Sequence, residues 1–200
     1  IVFGDWSSDV CSSDLLADTW AMKPGVVEQL KIHLLSFAPE PGARILDVGA
    51  GTGIVTGLLK SPGFPDLTVV PIDISERMLQ QGKKNLLDRF RLATCCDVYR
   101  LPFPAGSFAA AVCFSAFPHF KPEPALQELA RILGAEGRLL ILHTQCSRKL
   151  NRFHSTLAGP VCSDTLMRAD ELAMLMEGYG LGIIKKIEHP ELYWLEARKL

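Results

Sequence analysis

The run from Phe108 to Phe114, FAAAVCF, contains no polar side chain. A β-strand made from it has no face to give to water, so it must lie inside a sheet covered on both sides. Sheets of that kind are mostly parallel, and parallel neighbours are joined by helical crossovers. The rest of the chain supplies both parts. Apolar runs at Arg44–Val48, Leu67–Ile72, Phe90–Cys95 and Arg138–His143 alternate with helical patterns, which predicts an α/β fold. One helix is expected from Pro24, with an apolar stripe at Val26, Val27, Leu30, Leu34 and Leu35 and a stop at Pro39, Pro41 and Gly42. Another covers Ile54–Lys60. A third is capped by Ser75 and runs to about Asp88, with Met78, Leu79, Leu86 and Leu87 inward. Others cover Glu123–Leu133, stopped at Gly134, Arg148–Leu157 and Asp170–Tyr179. Gly182–Ile187 and Leu192–Ala197 read as two final strands in a hairpin that turns at His189-Pro190.

Composition narrows the function. The chain has 200 residues, 48% of them hydrophobic and 22% charged, with a net charge of -1. Such a balance predicts no strong electrostatic pull toward nucleic acid or anionic lipid. The Phe108–Phe114 run is the longest unbroken apolar stretch and is far too short to span a bilayer. The first fifteen residues stand apart. They carry no Lys or Arg and show neither helical nor strand periodicity. Asp5 to Leu15, DWSSDVCSSDL, looks like the translation of a standard short-read sequencing adapter, so residues 1–15 are expected to be non-native and residues 16–200 to form a single domain. On that reading the natural chain begins at or before Leu16. Cys11 falls in this segment. The other cysteines, Cys95, Cys96, Cys113, Cys146 and Cys162, are odd in number and form no CxxC pair, which reads as a reduced, cytoplasmic protein.

The chemistry concentrates after the first strand. Asp47-Val48-Gly49-Ala50-Gly51-Thr52-Gly53 joins that strand to the next helix. Its glycines permit a tight turn and a close backbone approach by a ligand, and the helix start offers free N–H groups. Nicotinamide-dependent oxidoreductases use a similar loop, but their third glycine would fall at position 54, which is Ile. Asp73 closes the second strand, where its carboxylate can accept from both hydroxyls of a ribose. Ile74 and Met78 are placed to pack against an adenine face, and Asp97 to accept from its exocyclic amine.

The set DVGAGTG, VVPIDIS, CCDVYRLPF, GSFAAAVCFSAFPHF and ELARILGAEGRLLIL resembles the class I S-adenosylmethionine-dependent methyltransferases. The resemblance runs from about Trp20 to Leu200. It implies a three-layer αβα Rossmann-like fold with a mostly parallel seven-stranded sheet and an antiparallel last strand. It also implies S-adenosylmethionine as cofactor. Gly49, Ala50, Gly51 and Gly53 would line its methionine part, and Asp47 would orient that loop near the methionine amino group. Asp73 would hold the ribose, Asp97 with Val98 the adenine, and Phe114 with Ser115 would floor the transfer site. ADTW before the first helix resembles the family's N-terminal lid, so Trp20 either caps donor or acceptor or packs on the core.

The acceptor side is expected beyond the carboxyl ends of the fourth and fifth strands. There the sequence places Phe117-Pro118-His119-Phe120 and His143-Thr144-Gln145-Cys146-Ser147-Arg148, followed by Asn151 and His154. These resemble a prokaryotic subgroup of small-molecule methyltransferases with FPHF and HxxSR…NxFH signatures. His119 and His143 are the first candidates for a general base, with Arg148, Asn151 and His154 on the substrate side. The histidines also suit a substrate clamp, a metal or metalloid site, or hydrogen bonds to rim backbone. No HxxxH or CxxC spacing supports a metal, and none is expected. The leading function is methyl transfer to a small-molecule acceptor by a monomer or homodimer. The alternatives are a nicotinamide-dependent oxidoreductase and a non-catalytic S-adenosylmethionine-binding protein. A nucleic-acid methylase fits less well, because Ser115-Ala116-Phe117-Pro118 stands where such enzymes carry an Asn/Asp-Pro-Pro-aromatic signature.

Overall fold

The computed structural model describes residues 24–37, 39–157 and 159–200. The segment 1–15 and Trp20 lie outside them. In chain order the elements are α1 (Pro24–Phe37), β1 (Arg44–Val48), α2 (Ile54–Leu59), β2 (Thr68–Asp73), α3 (Glu76–Leu86), β3 (Thr94–Cys95), β4 (Phe108–Phe114), α4 (Pro122–Ile132), β5 (Leu133–His143), α5 (Ser147–His154), α6 (Ala169–Gly178), β6 (Leu181–His189) and β7 (Leu192–Lys199). Short 3-10 turns cover Leu87–Phe90, Phe117–His119 and Pro160–Ser163.

The seven strands form one sheet in the order β3-β2-β1-β4-β5-β7-β6. β1 to β5 pair in parallel, while β7 runs antiparallel to both β5 and β6. The fold is thus three-layer, Rossmann-like and mostly parallel, with the last strand antiparallel. The apolar run occupies the centre of the sheet as expected, and its side chains divide by parity. Ala110, Val112 and Phe114 pack with Leu30, Leu34 and Phe37 of α1 and with Leu59 of α2. Ala111 and Cys113 face Leu126 and Leu129 of α4 and Leu172 and Met176 of α6. This period of two is the strand geometry that requires helices on both faces.

Several expected details change. The stripe of α1 is Leu30, Leu34 and Phe37, whereas Leu35 is partly exposed, because a residue one step from Leu34 lies about 100° around the helix. Leu87 does not turn inward. It has a φ of 49°, ends α3, and is exposed, so that the following 3-10 turn can drive Phe90 into the core. The third strand is therefore Thr94–Cys95 rather than Phe90–Cys95. α4 ends at Ile132, and β5 begins directly at Leu133 with an irregular register against β4, so Gly134 lies in the strand. The final hairpin turns at Pro190 and Glu191. No described helix is long and apolar enough to cross a membrane.

Candidate active site

The strand order reverses between β1 and β4: successive strands proceed outward to β3 on one side and to β5 on the other. Loops leaving the carboxyl ends of β1 and β4 therefore diverge and leave a crevice, where ligands bind in open α/β sheets.

The glycine loop is built by its neighbours. Gly49, Gly51 and Gly53 have φ values of 66°, 54° and 90°. A Cβ on Gly49 would lie 2.4 Å from that of Ala116, so the bare backbone of the loop packs directly on the Ala116 methyl group at the β4 exit. Gly53 precedes α2 and has no side chain to cap it. Asp47 does that work from β1: its Oδ2 accepts from the Thr56 N–H at 3.0 Å and the Thr56 hydroxyl at 2.6 Å. Asp47 is 1% exposed. Burial pushes its carboxyl up to about 7, against the lowering effect of the Thr56 bonds, with Asp73 adding to the rise.

Asp73 links the loop to β2. Its Oδ2 accepts from Gly51 N–H and its Oδ1 from Ser75 N–H, each at 2.8 Å. A carboxylate has about four lone-pair directions, and these two bonds hold both oxygens of Asp73 at the mouth of the loop. Beside it Ile74 is 57% exposed, an apolar side chain open to a ligand, while Met78 is buried under Gly51. Asp97 is exposed, with Oδ1 accepting from Tyr99 N–H at 2.9 Å, and Val98 is buried behind it. Phe114 is buried at the end of β4, and Ser115 has a φ of 55° and donates its N–H to Leu142. A serine held in the left-handed region is strained, so the sharp exit from β4 is imposed by its surroundings.

Across the crevice lie the histidines. His119 sits in the Phe117–His119 turn with its side chain 40% exposed. Its ring stacks on that of His154, with centroids 5.7 Å apart. His143, at the end of β5, is 2% exposed and stands edge-on to Tyr193. Among the described residues, His143 Nε2 and the Tyr193 hydroxyl are buried polar atoms without a hydrogen-bond partner. Burial first, then the proximity of His119 and His154, holds the His143 imidazole down at about 3. Asn151 and His154 share one face of α5, as their spacing implies, and both bind the 164–166 segment. Asn151 donates to the Leu166 carbonyl and accepts from its N–H. Arg148 is exposed in the first turn of α5. No group of three or more His, Cys, Asp or Glu among the described residues is arranged to hold a metal ion.

Sequence reasoning missed three contributors. Asp164 contacts His119 and His154 from a segment with no recognisable motif. Glu188, at the end of β6, accepts from Ser147 N–H and hydroxyl and from Ala169 N–H, closing the starts of α5 and α6 together. Phe120, the last residue of FPHF, stands beside the Gly49 loop. Each acts through long-range pairing, for which local spacing holds no signal.

Strand order, crevice and glycine loop define a three-layer Rossmann-like fold with a ligand crevice at the carboxyl ends of β1 and β4. Residues 46–141 match the methyltransferase domain family. Over 145 residues, 70% of the chain, the sequence is 32% identical to the ubiquinone/menaquinone biosynthesis C-methyltransferase UbiE of Burkholderia mallei. That match covers 59% of the relative, so the chain spans about three fifths of the length of the curated relatives it matches. A chain from the complex of the Haloferax volcanii Trm112 methyltransferase activator with a methyltransferase superposes with a TM-score of 0.74, at 17% identity over 96% of this chain and 99% of that one. The geranyl diphosphate C-methyltransferase of Streptomyces coelicolor, solved with Mg2+, geranyl diphosphate and S-adenosyl-L-homocysteine, gives 0.68 at 12% identity over 86% and 79%.

Proposed function

We propose that this protein transfers a methyl group from S-adenosylmethionine to a small-molecule acceptor. The observation that carries the reading is the tie between Gly51 N–H and Asp73 Oδ2. It sets a bare-backbone loop and a ribose-accepting carboxylate side by side at the crevice. The residues present fit the donor. Gly49, Ala50, Gly51 and Gly53 leave room for its amino-acid part, with Asp47 fixing the helix behind them. Asp73 holds the ribose, Ile74 and Met78 flank the adenine, and Asp97 with Val98 bounds its edge. Phe114 and Ser115 close the floor. The family match and the bound S-adenosyl-L-homocysteine of the Streptomyces neighbour support this assignment.

The donor, when bound, supplies a methyl group already activated on a sulfonium. The protein's part is to align the acceptor and exclude water, effects that contribute roughly 7–11 kcal/mol in favourable cases. His119 is the better placed of the two candidate bases, because its side chain is 40% exposed whereas His143 is buried and neutral. Arg148, exposed on α5, is placed to meet an acceptor, while Asn151 and His154 shape that side through the 164–166 segment. Calorimetric titration with S-adenosylmethionine and, separately, with NAD tests the reading. Binding of the first alone is expected; binding of NAD alone would replace this reading with the oxidoreductase one.

A further inference from the structure

Asp164 belongs to no motif, yet two histidines from different elements turn to it. Its Oδ2 lies 2.5 Å from His119 Nδ1, and its main-chain carbonyl lies 2.8 Å from His154 Nδ1. A carbonyl only accepts, so His154 Nδ1 carries its hydrogen; a carboxylate only accepts, so His119 Nδ1 carries one as well. In each neutral ring Nε2 is then the lone-pair nitrogen. The rings lie within 23° of parallel. One residue fixes both, by its side chain for the exposed imidazole and by its backbone for the buried one. His143, at the end of β5, is close enough to feel both His119 and His154, and Tyr99, near Asp97 and Asp164, has a hydroxyl that accepts from Lys121 N–H at 2.7 Å.

We propose that Asp164 is the positioning residue of a His119–Asp164 proton-accepting pair, and that the acceptor therefore offers a weakly acidic hydroxyl. The inference rests on the methyl-transfer reading. An acceptor attacking through a ready lone pair, such as a tertiary amine or a thioether, has no proton to lose and no use for an oriented imidazole. With a hydroxyl acceptor, His119 Nε2 takes the proton and Asp164 stabilises the imidazolium. The electron pair released forms the new bond to the methyl group, at oxygen or at a carbon conjugated with it. The pair of the broken methyl–sulfur bond stays on sulfur, and the proton passes on to water.

The test has two arms. In the first, imidazole nitrogen NMR of the full chain reads the tautomer of each ring. His119 and His154 are both expected with hydrogen on Nδ1. Asp164→Asn should move the hydrogen of His119 to Nε2, as the equivalent change does in the Ser-His-Asp triad. His154, held by the carbonyl, should keep its tautomer and so reports that the fold is intact. Wild-type His119 with hydrogen on Nε2, or no change in Asp164→Asn, overturns the pair. The second arm supplies methyl-labelled S-adenosylmethionine with a pool of phenols and enols or with a pool of tertiary amines and thioethers. Product is expected from the first pool alone. Turnover should fall on the order of 10²–10⁴-fold in Asp164→Asn, with KM for S-adenosylmethionine unchanged and partial rescue by Asp164→Glu. Labelling of the second pool, or full activity in Asp164→Asn, overturns the acceptor class. If S-adenosylmethionine fails to bind, the methyl-transfer reading falls, whereas the pair is still decided by the tautomers.

Discussion

A methyl group added at Gly49 would sit 2.4 Å from the Cβ of Ala116, a separation that non-bonded carbons do not keep. Gly42 makes an instructive control, because it too has a positive φ, 78°, but nothing lies within 4 Å of its would-be Cβ. Gly42→Ala should cost about 1–2 kcal/mol, for the left-handed backbone alone. Gly49→Ala should cost roughly 1–3 kcal/mol more, because β4's exit must also move. Denaturant unfolding of the two variants checks the difference. On the proposed function, Gly49→Ala should also lose affinity for S-adenosylmethionine, and Gly42→Ala should not. Glycine spacing made this loop legible in the sequence, since bare backbone is a property of residue type. Asp164 was illegible for the opposite reason: an aspartate before Thr165 has no local mark, and its partners arrive through the fold.

At the scale of elements, one carboxylate closes two helices. Glu188 takes the first N–H of α5 and the first N–H of α6, whose preceding residues, Cys146 and Arg168, offer no side-chain cap of their own. Burial opposes its ionisation, but the bonds from Ala169 and Ser147, helped by Arg168, outweigh it and hold the carboxyl below its usual range. Glu188→Ala is expected to lose about 1–2 kcal/mol, since uncapped N–H groups at two helix starts turn to water. Hydrogen exchange should show faster opening at Ser147 and Ala169 than at Leu126 in α4; equal protection throughout would contradict the linkage. Most elements were readable because apolar runs and helical stripes report burial directly. The third strand was not. Phe90 looks like a strand residue, but it reaches the core through a 3-10 turn and packs where Gly53 and Gly82 leave space. A pattern of apolar residues records that Phe90 is buried and is silent on how the backbone brings it there.

For the molecule as a whole, two buried groups set opposite pH slopes. The Asp47 carboxyl is raised to about 7, so its contribution to stability is fully present below the unfolded value of 3.8 and is lost as pH rises through about 7. The His143 imidazole is lowered to about 3, so its contribution is present above 6.5 and is lost as pH falls through about 3. Between about pH 4 and 6.5, unfolding releases one proton from Asp47 and takes up one at His143. These two slopes cancel. Asp47→Asn removes the first and should make stability rise by up to about 1.4 kcal/mol per pH unit across that window, relative to wild type. His143→Phe removes the second and should make stability fall at a similar rate. Chemical denaturation at several pH values checks both signs, and a common slope in all three proteins would refute the pairing.

The order in which the strands are laid down has a consequence for how such a chain can change through descent. Residues assigned to the donor run from Asp47 to Ser115, while His119, His143, His154 and Asp164 come from the stretch after them. The two groups meet in space at the crevice but are written in separate, consecutive blocks of the gene. On the proposed function, changes beyond His119 would redraw the acceptor's side, while Ala116 and Phe120, which pack on the Gly49 loop, tie the start of that stretch to the donor's cradle. If the proposed function holds, new acceptor specificities are reachable by steps confined to the later block, each of which leaves a donor-binding protein behind.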